Sequence, residues 1–227
     1  MTARDMPRPP AGFGDEPGDE LVNVLKRVAA ALVRADVPFA LTGGYAVYAR
    51  GGGLSEHDVD FLITERDVET VTAALVEAGF DIVRPPEDWL IKAYDRDRLV
   101  DLIFRPVQRP VTAETLADSQ VLPVEGSHMP VMSATMLMAY KLLSMHAHRC
   151  DFAPSLELAR VLREQIDWPR LRLEVAGSPY AAAFLVLVIE LGIVEDKAGQ
   201  DRLVDGVDGV DDVDSAAFRG MEPGRPA

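Results

Sequence analysis

Apolar residues recur along this chain at both helical and strand spacing, and the order of these patterns predicts a mixed α/β fold. The predicted helices in the first part of the chain span residues 21–35, 45–50, 67–78 and 110–118. The predicted strands are short apolar runs at residues 39–42, 59–64, 80–84, 89–94 and 99–104, followed by a strand pair within residues 121–132. A turn at residues 95–98 is expected to join two of these strands into a hairpin.

From residue 133 onward the apolar spacing is helical, with predicted helices at residues 134–148, 155–166, 169–175 and 180–194. This order predicts an α/β core, residues 19–132, in which helices flank a mixed β-sheet, followed by a helical C-terminal half, residues 133–194. Residues 1–18 are rich in Pro and Gly, and residues 195–227 are rich in Asp and Gly. Both segments lack apolar periodicity and are predicted to be disordered.

Composition limits the partners and the compartment. The formal net charge of -14 argues against broad binding to nucleic acid, which needs Lys and Arg to neutralise phosphates, although it leaves room for a local basic groove. The single cysteine, Cys150, excludes an internal disulfide framework and suits a reducing cytosol, so a cytoplasmic location is expected. The apolar run at residues 181–194 is interrupted by Glu190 and is shorter than the ~20 residues that span a bilayer, so no membrane association is expected.

Three aspartates interrupt the apolar strands. Asp58 and Asp60 lie two residues apart, so their carboxylates share one face of a strand, and Asp101 lies inside another strand. Paired carboxylates repel each other unless a cation lies between them, and Mg²⁺ is commonly bound by carboxylates together with substrate phosphates. The pattern therefore predicts a divalent metal site for phosphate chemistry. The alternatives are solvated acids at a strand end and, for Asp101, a salt bridge to an arginine such as Arg98 or Arg105.

Small residues before this site predict phosphate binding. Gly43 and Gly44 stand between a strand and a helix, where backbone N–H groups can approach a phosphate directly. Ser55, three residues before Asp58, either donates a hydrogen bond to a phosphate oxygen or shapes the loop.

An apolar strand, Gly43-Gly44, a helix, Asp58-Val-Asp60 and a later Asp101 together resemble the DNA polymerase β-like nucleotidyltransferase superfamily. The downstream Lys141 and Asp151 are similar to motifs of abortive-infection (AbiEii-type) nucleotidyltransferase toxins, and the resemblance covers roughly residues 21–166. It implies transfer of a nucleoside monophosphate from an NTP to an acceptor hydroxyl, with release of pyrophosphate.

The same resemblance implies two Mg²⁺ ions, with Mn²⁺ as a possible substitute, bound by Asp58, Asp60 and Asp101. Lys141 is expected at the triphosphate, and Asp151 is expected as a further catalytic residue. Taken without the resemblance, Lys141 is an ordinary surface lysine on an amphipathic helix and Asp151 is a helix N-cap.

Three positions depart from the toxin-like pattern. Leu54 and Glu56 stand where many members carry Arg and Thr, and Pro154 stands where a second acid is common. Because Glu56 would repel a triphosphate, a catalytically silent binding module is one of the hypotheses.

The acceptor is open at this stage. The toxin-like resemblance implies a tRNA 3′ end or another RNA, and with it a possible cognate antitoxin, whereas the related aminoglycoside nucleotidyltransferases imply a small molecule. An acidic protein suits a polycationic sugar. Basic residues flanking Asp101, among them Arg96, Arg98 and Arg105, favour RNA as the prediction.

Overall fold

The computed structural model describes residues 17–53 and 58–195, and the tails predicted to be disordered lie almost entirely outside this range. Within it the helices are α1 Pro17–Arg34, α2 Gly43–Ala49, α3 Val68–Glu77, α4 Ala113–Ala117, α5 Ala134–Leu143, α6 Ala153–Leu162, α7 Trp168–Glu174 and α8 Pro179–Glu190. The strands are β1 Phe39–Thr42, β2 Asp58–Ile63, β3 Asp81–Val83, β4 Leu90–Asp95, β5 Arg98–Ile103, β6 Gln120–Val124 and β7 Ser127–Val131.

The strands form one mixed sheet of seven strands in the order β3-β4-β5-β2-β1-β7-β6. The two central strands β2 and β5 run parallel to each other, and β1 is antiparallel to β2. The predicted hairpin is confirmed, because β4 and β5 pair in antiparallel fashion with Asp95 opposite Arg98. The predicted fold class, a mixed sheet flanked by helices, is also confirmed.

Buried apolar residues and partly exposed aspartates alternate at the start of β2, so one face of the strand belongs to the core and the other is polar. Val59 and Phe61 are completely buried, whereas Asp58 and Asp60, which alternate with them, are partly exposed. Helix α1 contacts α3, β2 and β5, and its apolar side chains Leu25 and Val28 are completely buried. The helical spacing that predicted α1 is therefore the spacing of its buried face.

The C-terminal helices pack against one another and extend toward the sheet. Helix α5 contacts α6, α7 and α8, and it also contacts α2. The described residues up to Ile193 belong to one compact unit. The division of this region between residues 132 and 133 stays a prediction. No helix in residues 17–53 and 58–195 combines the length and the apolar character needed to cross a membrane.

Three predicted helices extend too far in sequence, among them the one at residues 155–166, which ends at Leu162. Helix α5 ends at Leu143 instead of residue 148. At this end the Ser144 hydroxyl donates a hydrogen bond to the carbonyl of Lys141 at 2.9 Å. His146 and Arg149 then form an isolated β-bridge. Helix α8 ends at Glu190 instead of residue 194, because Gly192 adopts a left-handed φ of 64° that reverses the chain.

Candidate active site

Strand register lines up four polar side chains across the sheet. Thr42 of β1 lies opposite Asp60 of β2, Asp60 lies opposite Asp101 of β5, and Asp101 lies opposite Lys92 of β4. Residues directly opposite each other on paired strands project from the same face. Thr42, Asp60, Asp101 and Lys92 therefore form a continuous row on one face, called here the polar row.

Asp58 joins this row from the same strand as Asp60. Asp58, Asp60 and Asp101 each offer a carboxylate oxygen, and these atoms all lie within 4.8 Å of one another. The structure thus brings together the three residues predicted as metal ligands. They are called here the aspartate cluster.

Gly43 allows the aspartate cluster to lie against helix α2. A Cβ atom built on Gly43 would lie 1.9 Å from Oδ2 of Asp60, which no side chain could accommodate. The φ of Gly43 is also left-handed, at 60°. Glycine is therefore required here on two counts, one of which, the approach of Asp60, could not be seen in the sequence.

Charge in the cluster is unbalanced. The pKa of Asp60 is raised to about 7, first because the carboxyl group is buried and then because the carboxylates of Asp58 and Asp101 are close. The positive charge of Lys92 opposes this rise only in part. Three hard oxygen donors that repel one another are a donor set that suits a hard divalent cation such as Mg²⁺.

Lys92 is the ion-pair partner of Asp101. Its Nζ donates to Oδ1 of Asp101 at 2.9 Å. Although burial acts to lower the pKa of Lys92, its hydrogen bond and attraction to Asp101 raise that pKa above its usual value. The alternative that named an arginine as this partner is wrong, because Arg98 and Arg105 pair with other acids.

Those two arginines pair with acids outside the aspartate cluster. Arg98 donates to Glu20 at 2.6 Å, and Arg105 donates to Glu65 at 2.9 Å and to Asp88 at 3.1 Å.

A cleft of about 530 Å³ adjoins the polar row and is lined by Thr42 at its sheet side. Gly43 and Gly44 line it from α2, and Lys141 lines it from α5. The structure therefore places three residues predicted to contact the triphosphate around one cleft. The remaining lining, which the sequence did not indicate, includes one acid, Glu157, and the apolar residues Val47, Leu137, Pro154, Leu158 and Val161.

The other predicted site residues either do not line the cleft or lie outside the described range. Asp151 is exposed, is absent from the described lining of the cleft, and accepts a hydrogen bond from the backbone N–H of Ala153 at 3.0 Å. The N-cap of α6 is Phe152, so Asp151 lies one residue before the capping position that the alternative gave it, and its catalytic role stays a prediction. Ser55, Leu54 and Glu56 lie outside the described residues.

Comparison with known families decides the class of protein. A family described as "Uncharacterised nucleotidyltransferase" matches residues 19–191, which is most of the chain. The chain belongs to this nucleotidyltransferase family. The resemblance to the superfamily is thereby confirmed, whereas the closer resemblance to abortive-infection toxins stays a prediction. None of the functionally curated proteins matches this nucleotidyltransferase.

Solved structures support the same fold. The solution structure of the antibiotic-resistance factor ANT(2'')-Ia has a TM-score of 0.54 and 16% identity, covering 75% of this chain and 96% of that one. The crystal structure of ANT(2'')-Ia in complex with adenylyl-2''-tobramycin has a TM-score of 0.52 and 14% identity, covering 72% and 98%. At these identities the likeness establishes that this nucleotidyltransferase has their fold.

Proposed function

We propose that this nucleotidyltransferase moves a nucleoside monophosphate from an NTP to a hydroxyl group of a small-molecule acceptor and releases pyrophosphate. The observation that carries the proposal is the aspartate cluster of Asp58, Asp60 and Asp101 beside the cleft that Gly43, Gly44 and Lys141 line. Carboxylates gathered on one face are the usual protein contribution to phosphoryl chemistry with divalent ions.

The aspartate cluster would hold Mg²⁺, or Mn²⁺ in its place, and the bound ion would supply positive charge to the phosphates and to the attacking oxygen. Asp101 is proposed to accept the proton of the acceptor hydroxyl as its oxygen attacks the α-phosphorus. The new bond joins that oxygen to the α-phosphorus. The bond to the β-phosphate oxygen breaks, and pyrophosphate leaves with the electron pair.

The cleft is proposed to hold the NTP. Lys141, exposed on α5, would offset the negative charge that develops on the departing pyrophosphate. Gly43 and Gly44 would let the backbone of α2 approach the phosphates without steric hindrance from a side chain. The apolar side chains of Val47, Leu158 and Val161 suit the flat face of a nucleobase.

Three observations favour a small-molecule acceptor over RNA. Arg98 and Arg105, which the sequence suggested as contacts for an RNA backbone, already pair with Glu20 and with Glu65 and Asp88. Neutralising phosphates would require these pairs to break first. In addition, the complex of ANT(2'')-Ia, which shares the fold, contains adenylyl-2''-tobramycin. The formal net charge of -14 also suits a cationic sugar.

The test is incubation of the purified protein with Mg²⁺, each α-labelled NTP in turn, and either a panel of amino sugars or total RNA. Label on an amino sugar supports the proposal. Label on RNA, for example at a tRNA 3′ end, would instead support the toxin-like hypothesis and make a search for an antitoxin worthwhile. The Asp58→Asn variant sets the background, and wild-type labelling no higher than this background would favour the silent binding module.

A further inference from the structure

We propose that Lys92 provides a built-in positive charge at the aspartate cluster, so that the cluster binds one divalent ion instead of two. The inference deepens the proposed function and rests on it. The family resemblance implies two ions, and the motifs that carry it do not include Lys92.

The geometry places the ammonium group of Lys92 where an ion would otherwise share Asp101. Lys92 lies opposite Asp101 in the β4–β5 pairing, and its Nζ is 2.9 Å from Oδ1 of Asp101. The side chains are only 26% and 14% exposed, so the pair is partly shielded from water. One oxygen of Asp101 is therefore already engaged by a cation.

Charge balance also favours a single divalent ion at the cluster. Without the NTP, whose phosphates add negative charge of their own, the aspartate cluster carries three negative charges when its carboxylates are ionised, and Lys92 together with one divalent ion supplies three positive charges. A second divalent ion would have to lie close to the ammonium group or displace it into solvent. Repulsion between cations in a partly buried place is weakly screened, so both arrangements are unfavourable.

Two other ion pairs near these strands have no such relation to the cluster. Arg84 and Glu69 form an exposed pair between the end of β3 and α3. Arg98 of β5 pairs with Glu20 of α1. Neither pair includes a member of the aspartate cluster, whereas the Lys92–Asp101 pair does.

The experiment counts Mn²⁺ ions bound by the full chain in the presence of a non-hydrolysable NTP analogue. The acidic protein will bind further Mn²⁺ weakly, so the count in an Asp60→Asn variant, which lacks the intact cluster, is subtracted. Electron paramagnetic resonance gives an independent readout, because two Mn²⁺ ions ~3.5–4 Å apart couple magnetically and isolated ions do not.

We expect one cluster-bound Mn²⁺ and no coupled signal in the wild type and in Lys92→Arg, which keeps the charge. Lys92→Met, which keeps the approximate length of the side chain without its charge, should bind two ions and give the coupled signal. Lys26→Met, a lysine on α1 with no ion pair among the described residues, is the matched control and should behave as wild type.

Two coupled ions in the wild type would overturn the inference, and so would a single ion in Lys92→Met. If Lys92→Met does not fold, the wild-type and Lys92→Arg counts still decide whether the cluster binds one Mn²⁺ ion or two. A wild type that binds neither Mn²⁺ nor the analogue at the cluster would contradict the proposed function itself. A wild type that binds the analogue with two ions contradicts only the role of Lys92.

Discussion

Two partly buried aspartates of this protein, Asp60 and Asp118, have opposite surroundings. Asp118, which follows α4, accepts hydrogen bonds from the Ser133 hydroxyl and from Arg170, both at 2.6 Å. Among the described residues, nothing donates a hydrogen bond to Asp60, and its neighbours are the carboxylates of Asp58 and Asp101.

The pKa values of the two groups express this difference. Burial acts to raise the pKa of Asp118, but the hydrogen bonds from Arg170 and Ser133 prevail and bring it below its usual value. The pKa of Asp60 is raised to about 7, because burial and like charges act together. Asp118, a carboxylate that supports the fold, is surrounded by hydrogen-bond donors. Asp60 is surrounded by other carboxylates, and a cation bound there would relieve their repulsion, as expected of a ligand-binding site.

The largest expected effect comes from neutralising Asp60. Asp60→Asn should lower kcat/KM for nucleotidyl transfer by at least ~10²–10³-fold, the usual cost of removing one electrostatic contributor to a transition state. The melting temperature of the metal-free protein should stay level or rise, because one member of a repelling group is lost. Asp58→Asn should behave alike.

Both quantities can be measured on the same preparations, by labelled transfer and by thermal melting. Near-wild-type transfer in either variant would show that the cluster does not serve catalysis. A large drop in melting temperature would show that Asp60 supports the fold as Asp118 does.

Asp118→Asn should give the reverse result. It leaves Arg170 without its best partner and with only Glu174, at 3.6 Å. We expect a loss of ~1–3 kcal/mol in the free energy of unfolding, which for a chain of this size lowers the melting temperature by about 3–10 °C. Transfer per folded molecule should be unchanged. A variant that melts as wild type but loses transfer would remove the distinction between the two aspartates.

The stability of the metal-free protein should depend on pH through Asp60. Its pKa is about 7 in the folded state and 3.8 ordinarily, so between these values the folded state holds a proton that the unfolded state has lost. The stability from this proton is fully present below pH 3.8 and is lost as the pH rises through about 7. Asparagine has no such proton to lose.

With EDTA present, the melting temperature of Asp60→Asn relative to wild type should therefore increase between pH 5 and pH 8, by about 5 °C. Differential scanning calorimetry at the two pH values measures the change. Asp118→Asn serves as the control and should show no such increase. A difference that is constant or shrinks with pH would contradict the charge imbalance assigned to the cluster.

The smallest effects are expected at the surface arginines. Arg98→Ala and Arg105→Ala each remove ion pairs whose acids are exposed to solvent, and such pairs contribute little to stability, so the melting temperature should change by no more than about 2 °C. Transfer to an amino sugar should stay within about twofold of wild type, with an unchanged dependence on salt. If RNA is the acceptor, these variants should instead label RNA less and flatten its log–log salt dependence by about one unit per lost phosphate contact. That result would support the prediction that these arginines contact RNA.

Much of the site could be predicted from sequence because it lies on regular strands. Alternation identified Asp58 and Asp60 as neighbours on one face, and strand β1 has the predicted bounds, Phe39–Thr42. The position of Lys92 was also within reach. With Asp95 opposite Arg98 at the hairpin turn, pairing outward along β4 and β5 places Lys92 opposite Asp101.

Other features depend on packing between distant elements. Glu157 and Val161 line the cleft because α6 packs on α5 and borders the same cleft as α2 and the loop after it, which no local pattern specifies. The end of α5 at Leu143 is a local feature that the pattern missed, because the segment that forms the β-bridge between His146 and Arg149 has apolar spacing that continues to look helical.

The central claim is that Asp60 and its neighbours bind a divalent ion together with an NTP, and one measurement tests it most directly. The melting temperature of wild type and Asp60→Asn is recorded with Mg²⁺ alone, a non-hydrolysable NTP alone, and both together. At about 100 times the dissociation constant, joint binding stabilises the folded state by ~2.7 kcal/mol, or about 5–10 °C. We predict that the combined shift in wild type exceeds the sum of the separate shifts, and that this excess disappears in Asp60→Asn. No excess in wild type at millimolar ligand, or the same excess in both proteins, would contradict the account.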